Sequence, residues 1–306
     1  MSLVISSHSP DAFGRAVSVL DAGGLVGLPT ETVYGLAARA DLDDAVASIF
    51  RAKGRPTGHP LILHISDISE LDRYVVNVPT AAVTLAQHCW PGPLTLLLQK
   101  TIDVSHLVTG GRETVAIRVP ANEIARKIIK QCGHAVAAPS ANLFGHVSPT
   151  TAQHVQNDLG DSVDLIIDDG DCTIGVESTI VDFTTRSPQL LRPGGFPTED
   201  LESIIGEQIL MPTGESRASG MLASHYAPHC KVLLVDSFDE AKTTLSSLVN
   251  ARILDHWANS PLYAASLYTQ MRQADLDGVS TIIAVLPNKS GLGMAIRDRL
   301  SKASSL

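Results

Sequence analysis

Short apolar runs alternate with helical patterns along most of the 306-residue chain. Residues 25–28, 61–65 and 94–98 have the length of buried strands, and 43–53 and 79–89 place apolar residues at helical spacing. Aromatic residues make up only 4% of the chain, so Ala, Val, Leu and Ile must fill the interior. This composition and pattern are typical of an α/β protein.

Helix ends are marked by specific residues. Ser9 and Pro10 suit the start of a first helix that Gly23 and Gly24 end. Asn122 is positioned to cap a helix that reaches Cys132 and stops at Gly133. Ser148 and Pro149 predict another helix, to about Leu159. Further strands are expected over 115–119, 135–138, 164–168, 177–183 and 189–192.

A change of composition divides the chain. Residues 207–230 are rich in Gly, Ser and Pro and have weak periodicity, which is typical of a linker. Beyond them, strands near 232–235 and 281–286 alternate with helices over 237–250, 261–275 and 292–304. We therefore expect a large domain over 1–206, a linker over 207–230 and a small α/β domain over 231–306.

Charge and cysteine content limit the class of protein. The net charge of −9 argues against broad nucleic-acid binding, although it leaves room for a local basic pocket. The four cysteines are far apart with no C-x-x-C pair, so we expect neither a zinc site nor disulfides, and a reducing, cytoplasmic compartment fits. We see no signal-peptide pattern and no apolar run of about 18 residues, so no membrane span is expected.

Several common motifs of catalysis and cofactor binding are absent. The sequence contains no G-x-x-x-x-G-K-[ST] loop and no G-x-S-x-G elbow, and Gly291-Leu-Gly293 lacks a third glycine. His225 and His229 have helical spacing, but Pro228 lies between them and no third ligand stands nearby. We expect no metal site.

Basic residues in unusual places indicate a ligand pocket. Arg51, Lys53 and Arg55 lie at a helix end, where cations also favour the helix dipole. Arg118 and Arg192 lie inside apolar strand-like runs, and a buried charge needs a partner. That partner is either a carboxylate, such as Glu31 or Glu177, or an anionic ligand.

Hydroxyl and amide groups follow other strand-like runs. In LPTETVYGL, Thr30 and Thr32 flank an acid after a buried run, and either hydroxyl could simply cap the next segment. Ser140 and Asn142 follow small residues that let a ligand approach the backbone. His64 lies within LILHI, where a satisfied core histidine is the simplest interpretation.

These residues form a recognisable set. KGR at 53–55 with SAN at 140–142 resembles the K-x-R and S-x-N motif of the YrdC-like family. The stretches PTETVYGL, HPLILHI, WPGPLTLLL, AIRVP, PSANLFGHVSPT, GVESTIVD and LRPG follow in that family's order, over about 10–205. SGMLASHYAP and GLGMAIRDRL resemble the family's long, two-domain form.

The resemblance implies a fold and an activity. The fold is a YrdC-like twisted mixed α/β sheet with a concave basic cavity, plus a small C-terminal α/β, Rossmann-like domain. The activity is L-threonylcarbamoyladenylate synthesis from L-threonine, bicarbonate or CO2, and ATP with Mg2+. The product, threonylcarbamoyl-AMP, serves the modification of the adenosine beside the anticodon in ANN-reading tRNAs. Downstream threonylcarbamoyl-transfer proteins are implied partners, and direct tRNA binding is left open.

The resemblance also assigns roles to residues. The linker is implied to contact the active site through Tyr226. Lys53, Arg55, Ser140 and Asn142 form the K-x-R and S-x-N motif itself, and the resemblance implies that they are the catalytic residues. Binding of L-threonine is assigned to Thr30, Thr32, His64, Arg118, Ala138 and Ser178. Binding of ATP is assigned to Arg51, Arg55, His59, Thr114, Ser140, Ser148, Arg192 and Tyr226.

The chain departs from the family's pattern at a few positions. His59 stands where asparagine is common, His146 where Arg or Lys is common, and Gly170-Asp-Cys replaces a Gly-Gly pair. Two other functions compete with synthesis. One is a non-catalytic RNA-binding or translation-factor module. The other is the carbamoyl-adenylate step of HypF, whose zinc fingers have no counterpart here.

Overall fold

A computed structural model of the chain describes residues 3–212, 217, 218, 220 and 226–305. Eleven strands form one mixed sheet in the order β1-β9-β2-β3-β8-β4-β7-β6-β10-β11, with β5 paired to β6. The strands are β1 (Leu3–Ser6), β2 (Val26–Leu28), β3 (Gly35–Arg39), β4 (Ile62–His64), β5 (Val75–Val76), β6 (Leu94–Lys100), β7 (Thr114–Arg118), β8 (Val136–Ala137), β9 (Leu165–Asp168), β10 (Thr179–Asp182) and β11 (Gln189–Arg192). The mixed α/β sheet expected from the family resemblance is confirmed.

Helices cover both faces of this sheet. They are α1 (Ala12–Asp21), α2 (Asp43–Lys53), α3 (Thr80–Cys89), α4 (His106–Thr109), α5 (Glu123–Cys132), α6 (Ala152–Leu159) and α7 (Thr198–Ile205). Strand β3 shows the division, because Leu36 and Ala38 join the core under α2 and α3 whereas Ala37 joins the core under α1 and α5. This period of two is the pleat of a strand that is buried on both faces.

A second, parallel sheet of three strands follows. It contains β12 (Lys231–Val235), β13 (Ala251–Ile253) and β14 (Thr281–Val285) in the order β12-β14-β13. Its helices are α8 (Phe238–Ser247), α9 (Ser260–Leu276) and α10 (Leu292–Ala303). No helix in the described part of the chain is long and apolar enough to cross a membrane.

Helix α9 connects the cores of the two sheets. Its buried Tyr263, Leu267 and Met271 pack in one apolar cluster with Val33 and Val176 of the N-terminal region. The small sheet therefore lies against the part of the large sheet from which the loops after β2 and before β10 emerge.

Two helix starts differ from the sequence predictions. Helix α1 begins after Asp11 rather than at Ser9, and Asp11 makes no side-chain capping bond. Helix α6 begins at Ala152, where the Thr151 hydroxyl accepts from the His154 N–H at 3.1 Å. Ser148 does not cap it because its hydroxyl is committed to a distant carboxylate.

Several elements were not predicted from the sequence. They are β1, β3, β5, β13, α4 and α7. Strand β3 contains Gly and two alanines, which have low strand propensity, so its pairing with β2 and β8 and its burial stabilise it rather than its composition.

The predicted cap at Asn122 is confirmed. Its Oδ1 accepts from the Ala125 N–H at 2.9 Å, and its Nδ2 donates to Asp169 at 2.8 Å. Gly133 ends the helix at φ 73°, in the left-handed region that favours glycine.

We expect Asn122→Ala to lower the free energy of unfolding by about 1–2 kcal/mol, because the cap bond and the bond to Asp169 are both lost. Asp11→Ala is the matched control, since Asp11 stands at a helix start without a capping bond. Urea unfolding compares the two. Equal losses for both variants would contradict the assignment of the cap.

Candidate active site

A cavity lies over the face of strands β4 and β7. Ile62 and His64 of β4 and Arg118 of β7 form its floor, because alternate residues of a strand share one face. Around them are residues from five loop segments and from β3 and β11. The remaining lining residues are Thr30, Thr32, Val33, Gly35, Arg55, Ala138, Pro139, Ser140, Glu177, Ser178, Arg192, Gly220 and Tyr226.

Arg118 is buried and held at three points. Its Nη2 forms an ion pair with Glu31 Oε1 at 2.6 Å, its Nη1 donates to Thr32 Oγ1 at 3.0 Å, and its Nε donates to the Gly92 carbonyl at 3.1 Å. Of the two carboxylates considered from the sequence, Glu31 is the partner. Three of the five guanidinium N–H groups are used within the described residues, which leaves two for a ligand.

The Thr30–Thr32 turn presents one hydroxyl to Arg118. Thr30 Oγ1 donates to the Val33 carbonyl at 2.6 Å and accepts from the backbone N–H groups of Thr32 and Val33. Its single proton is thus used, so in the 2.9 Å contact between the two hydroxyls Thr32 is the donor. Thr30 shapes the turn, and Thr32 is the hydroxyl that meets Arg118.

His64 is buried and neutral. Its Nδ1 lies 3.2 Å from the Ile62 carbonyl, which can only accept, so Nδ1 carries the proton and Nε2 is an acceptor. Burial, reinforced by the charge of Arg118, lowers the pKa of His64 to about 3.

A second wall contains Arg192 and Ser178. Arg192 donates through Nε and Nη2 to the Ser178 carbonyl, at 3.0 and 2.9 Å, and through Nη2 to the Ser178 hydroxyl at 3.1 Å. The Ser178 hydroxyl also lies 2.7 Å from Thr95 Oγ1. Burial lowers the pKa of Arg192 and that of Arg55, the latter to about 10. Both cations therefore gain from an anionic ligand.

Lys53 and Asn142 support the site from behind the lining. The Lys53 ammonium donates to the carbonyls of Ser140 and Asn142, both at 2.5 Å. The Asn142 amide donates to the carbonyls of Leu143 and His146, both at 2.8 Å. These bonds fix the loop that brings Ser140 to the cavity.

The structure brings together most, but not all, of the residues assigned from the sequence. All six residues assigned to the binding of threonine line the cavity. Of the residues assigned to ATP, Arg55, Ser140, Arg192 and Tyr226 line it. Arg51 is exposed and donates to Ser48, Thr114 lies at the far end of β7, and Ser148 bonds Glu177. His59 lies beside Phe144, at 5.4 Å between ring centroids, outside the lining.

Arg299 and Tyr268, both near the cavity, were not identified as site residues from the sequence. Arg299 of α10 and Tyr268 of α9 are fully buried and bond Glu177. The signal for Arg299 was present, because it falls on the same helical face as the apolar Ala295, Ile296 and Ala303. A charge on a buried face requires a partner.

The described residues include no group of three or more His, Cys, Asp or Glu suited to a metal ion. Of the His225 and His229 pair weighed above, His225 lies outside the described residues.

An α/β sheet with a buried, arginine-lined cavity is typical of proteins that bind an anionic small molecule. Two sequence models narrow this class. The model of the Sua5, YciO and YrdC family, described as "telomere recombination", matches residues 18–194. The model of the threonylcarbamoyl-AMP synthase C-terminal domain matches residues 197–305.

Curated relatives match over nearly the full chain. The threonylcarbamoyl-AMP synthase of Pyrococcus abyssi is 41% identical, over 94% of this chain and 93% of the relative. That of Bacillus subtilis is 38% identical, over 98% and 94%. The crystal structure of P. abyssi Sua5 complexed with L-threonine superposes with a TM-score of 0.93 at 37% identity, covering 99% of this chain and 97% of that one. The chain belongs to this family, in its long two-domain form.

We expect His64 to remain neutral between pH 5 and pH 8, because burial and Arg118 both oppose its protonation. Nitrogen-15 NMR of the histidine side chains, with His64→Gln to assign the signal, measures this directly. A short unfolded peptide that contains one histidine is the control in the same buffer, with the ordinary histidine pKa of about 6.5. A His64 signal that titrates with the control would contradict the assignment.

Proposed function

We propose that this chain condenses L-threonine, CO2 or bicarbonate, and ATP to threonylcarbamoyl-AMP and pyrophosphate. The observation that carries the proposal is Arg118, a buried guanidinium held by Glu31 and Thr32 in the cavity of a chain that belongs to this family. The relatives' names support it, and they weigh against a non-catalytic RNA-binding module.

Threonine would bind at the Arg118 side of the cavity. Its carboxylate would take the two remaining guanidinium N–H groups in a planar, bidentate pair. The Nε2 of His64 is an acceptor and would receive a hydrogen bond from the substrate hydroxyl or amine. The Thr32 and Ser178 hydroxyls would complete the polar wall.

The reaction needs no nucleophilic side chain. The neutral threonine amine attacks CO2, loses a proton and becomes a carbamate. A carbamate oxygen then attacks the α-phosphorus in line, and the bond to pyrophosphate breaks. Three anionic groups meet in this step, so the arginines would act by holding the reactants and stabilising charge.

ATP would occupy the side of the cavity that contains Arg55, Ser140 and Arg192. The volume of this partly open cavity is about 50 Å3, which leaves room for a few waters rather than for a whole nucleotide. Binding of ATP therefore requires this side of the cavity to be wider than in the present structure. Arg51, His59, Thr114 and Ser148 would contribute only from outside the present lining.

Mg2+ would enter as part of the ATP complex. The one carboxylate among the described lining residues, Glu177, is engaged by Arg299 at 2.7 Å. The protein side chains of the cavity thus offer the ion poor ligands. Phosphate oxygens and water, which Mg2+ prefers in such sites, would supply them.

The product must be consumed by another reaction. A mixed anhydride of a carbamate and a phosphate is an activated acyl donor, so a transferase that moves the threonylcarbamoyl group to a tRNA adenosine would follow. The net charge of −9 disfavours direct tRNA binding by this chain.

We also propose that the chain divides into a catalytic domain over 1–206, a linker over 207–230 and a small domain over 231–306, and that it acts in the cytoplasm.

The direct test incubates the protein with labelled threonine, bicarbonate, ATP and Mg2+. We expect pyrophosphate release that depends on threonine and a labelled adenylate that carries both threonine and carbonate carbon. Omission of bicarbonate from CO2-depleted buffer is the control and should stop both. Pyrophosphate release at the same rate without threonine would exclude the proposal.

We expect Arg118→Met to raise the KM for threonine by about 10- to 100-fold, since a charge-assisted pair with the carboxylate is lost. The KM for ATP should change less than about threefold. The variant is made together with Glu31→Gln, because Arg118→Met alone would leave the buried Glu31 carboxylate without its cation and destabilise the protein. Arg39→Met, which removes an ion-paired arginine outside the cavity, is the control. Equal losses for both substrates would contradict the role of Arg118.

A further inference from the structure

We propose that Arg299, in the C-terminal helix α10, is a positioning residue of the nucleotide site: it neutralises the Glu177 carboxylate and holds the ring of Tyr226. The inference rests on the proposed function and assigns part of the synthase site to the C-terminal domain.

Glu177 is held largely by groups of the C-terminal domain. Its Oε2 accepts from Arg299 Nε at 2.7 Å and from the Tyr268 hydroxyl at 2.9 Å. From the N-terminal domain, the Ser148 hydroxyl donates to Oε1 at 2.6 Å. Glu177 and Arg299 are both buried, so this is an ion pair removed from solvent screening. Loss of Arg299 would leave a carboxylate without its charge partner in the lining of the cavity.

The position of Glu177 makes its charge important. Ser178 follows it directly, and the Ser178 carbonyl receives the bidentate bond from Arg192. Burial alone would raise the pKa of Glu177, but the charges of Arg299 and Arg192 outweigh it and lower the pKa to about 2. Glu177 is thus ionised at neutral pH. An anion at this point, if not neutralised, would repel a triphosphate and compete with it for Arg192.

The same guanidinium also positions Tyr226. The Arg299 Cζ lies 4.9 Å from the centroid of the Tyr226 ring, a cation–π distance. A second neighbour of that ring is Tyr268, with centroids 5.9 Å apart and planes at 23°. Tyr226 has φ 64°, which is uncommon for a bulky residue and needs such support from its surroundings.

Helix α10 anchors a second point of the segment before Tyr226. Lys302 donates to the Gly220 carbonyl at 2.7 Å and to Asp298 at 2.8 Å. Asp298 in turn accepts from Arg299 Nη1 at 2.5 Å. Arg299, Asp298 and Lys302 therefore form one network that contacts the cavity lining at Gly220, Tyr226 and Glu177.

Arg299→Met tests the proposal. We expect the Kd for ATP, measured by calorimetry with Mg-ATP, to rise about 10-fold or more, which is the effect of one buried charge-assisted interaction. The KM for threonine should change less than about threefold, because Arg118 and Glu31 do not contact Arg299. Arg297→Met is the matched control, since Arg297 lies on the same helix and donates to the Pro287 carbonyl at 2.5 Å rather than to Glu177.

A double-mutant cycle separates positioning from a general loss of structure. If Arg299 acts by neutralising Glu177, then Glu177→Gln in the Arg299→Met chain should restore about 5-fold or more of the lost ATP affinity. Loss of affinity for both substrates without this restoration would overturn the proposal, as would wild-type ATP affinity in Arg299→Met. The calorimetry does not depend on turnover. A wild-type protein that binds ATP but forms no adenylate would refute the proposed function and leave this test intact.

Discussion

The site depends on the cost of burying guanidinium groups. A buried cation without an acceptor costs several kcal/mol, so each arginine at the cavity must be fixed by a carboxylate or by carbonyls. Arg118 meets Glu31, Arg299 meets Glu177, and Arg192 meets the Ser178 carbonyl. These bonds fix positive charge in and beside one cavity before any substrate arrives. Such preorganisation is what a reaction that joins three anions requires.

Two buried carboxylates form the ion pairs of the site, one within the N-terminal domain and one between the two domains. Glu31 lies on the loop between β2 and β3 and holds Arg118 within the N-terminal domain. Glu177 precedes β10 and receives its ion pair from the C-terminal domain, 122 residues away along the chain. The small domain is therefore joined to the site by charge as well as by the apolar packing of α9. This arrangement gives the C-terminal domain a chemical role beside a structural one.

Local signals in the sequence were sufficient for much of this structure. Asn122 and Gly133 delimit α5, and the apolar runs that became β4 and β7 carry His64 and Arg118 to one face. The cavity lining around Arg118 also matches the residues that the motifs suggested. The pairing of Glu177 with Arg299 could not be predicted, because nothing local links two residues so far apart. Strand β3 was missed because its pairing, rather than its composition, makes it a strand.

Arg118, fixed by Glu31, is the residue to which we assign recognition of the threonine carboxylate. A crystal structure with L-threonine and a non-hydrolysable ATP analogue tests it most directly. We predict both carboxylate oxygens within about 3.2 Å of the Arg118 Nη atoms, at hydrogen-bond distance, with the Glu31 ion pair retained. Threonine bound elsewhere, with the Arg118 guanidinium contacting only protein, would contradict the account.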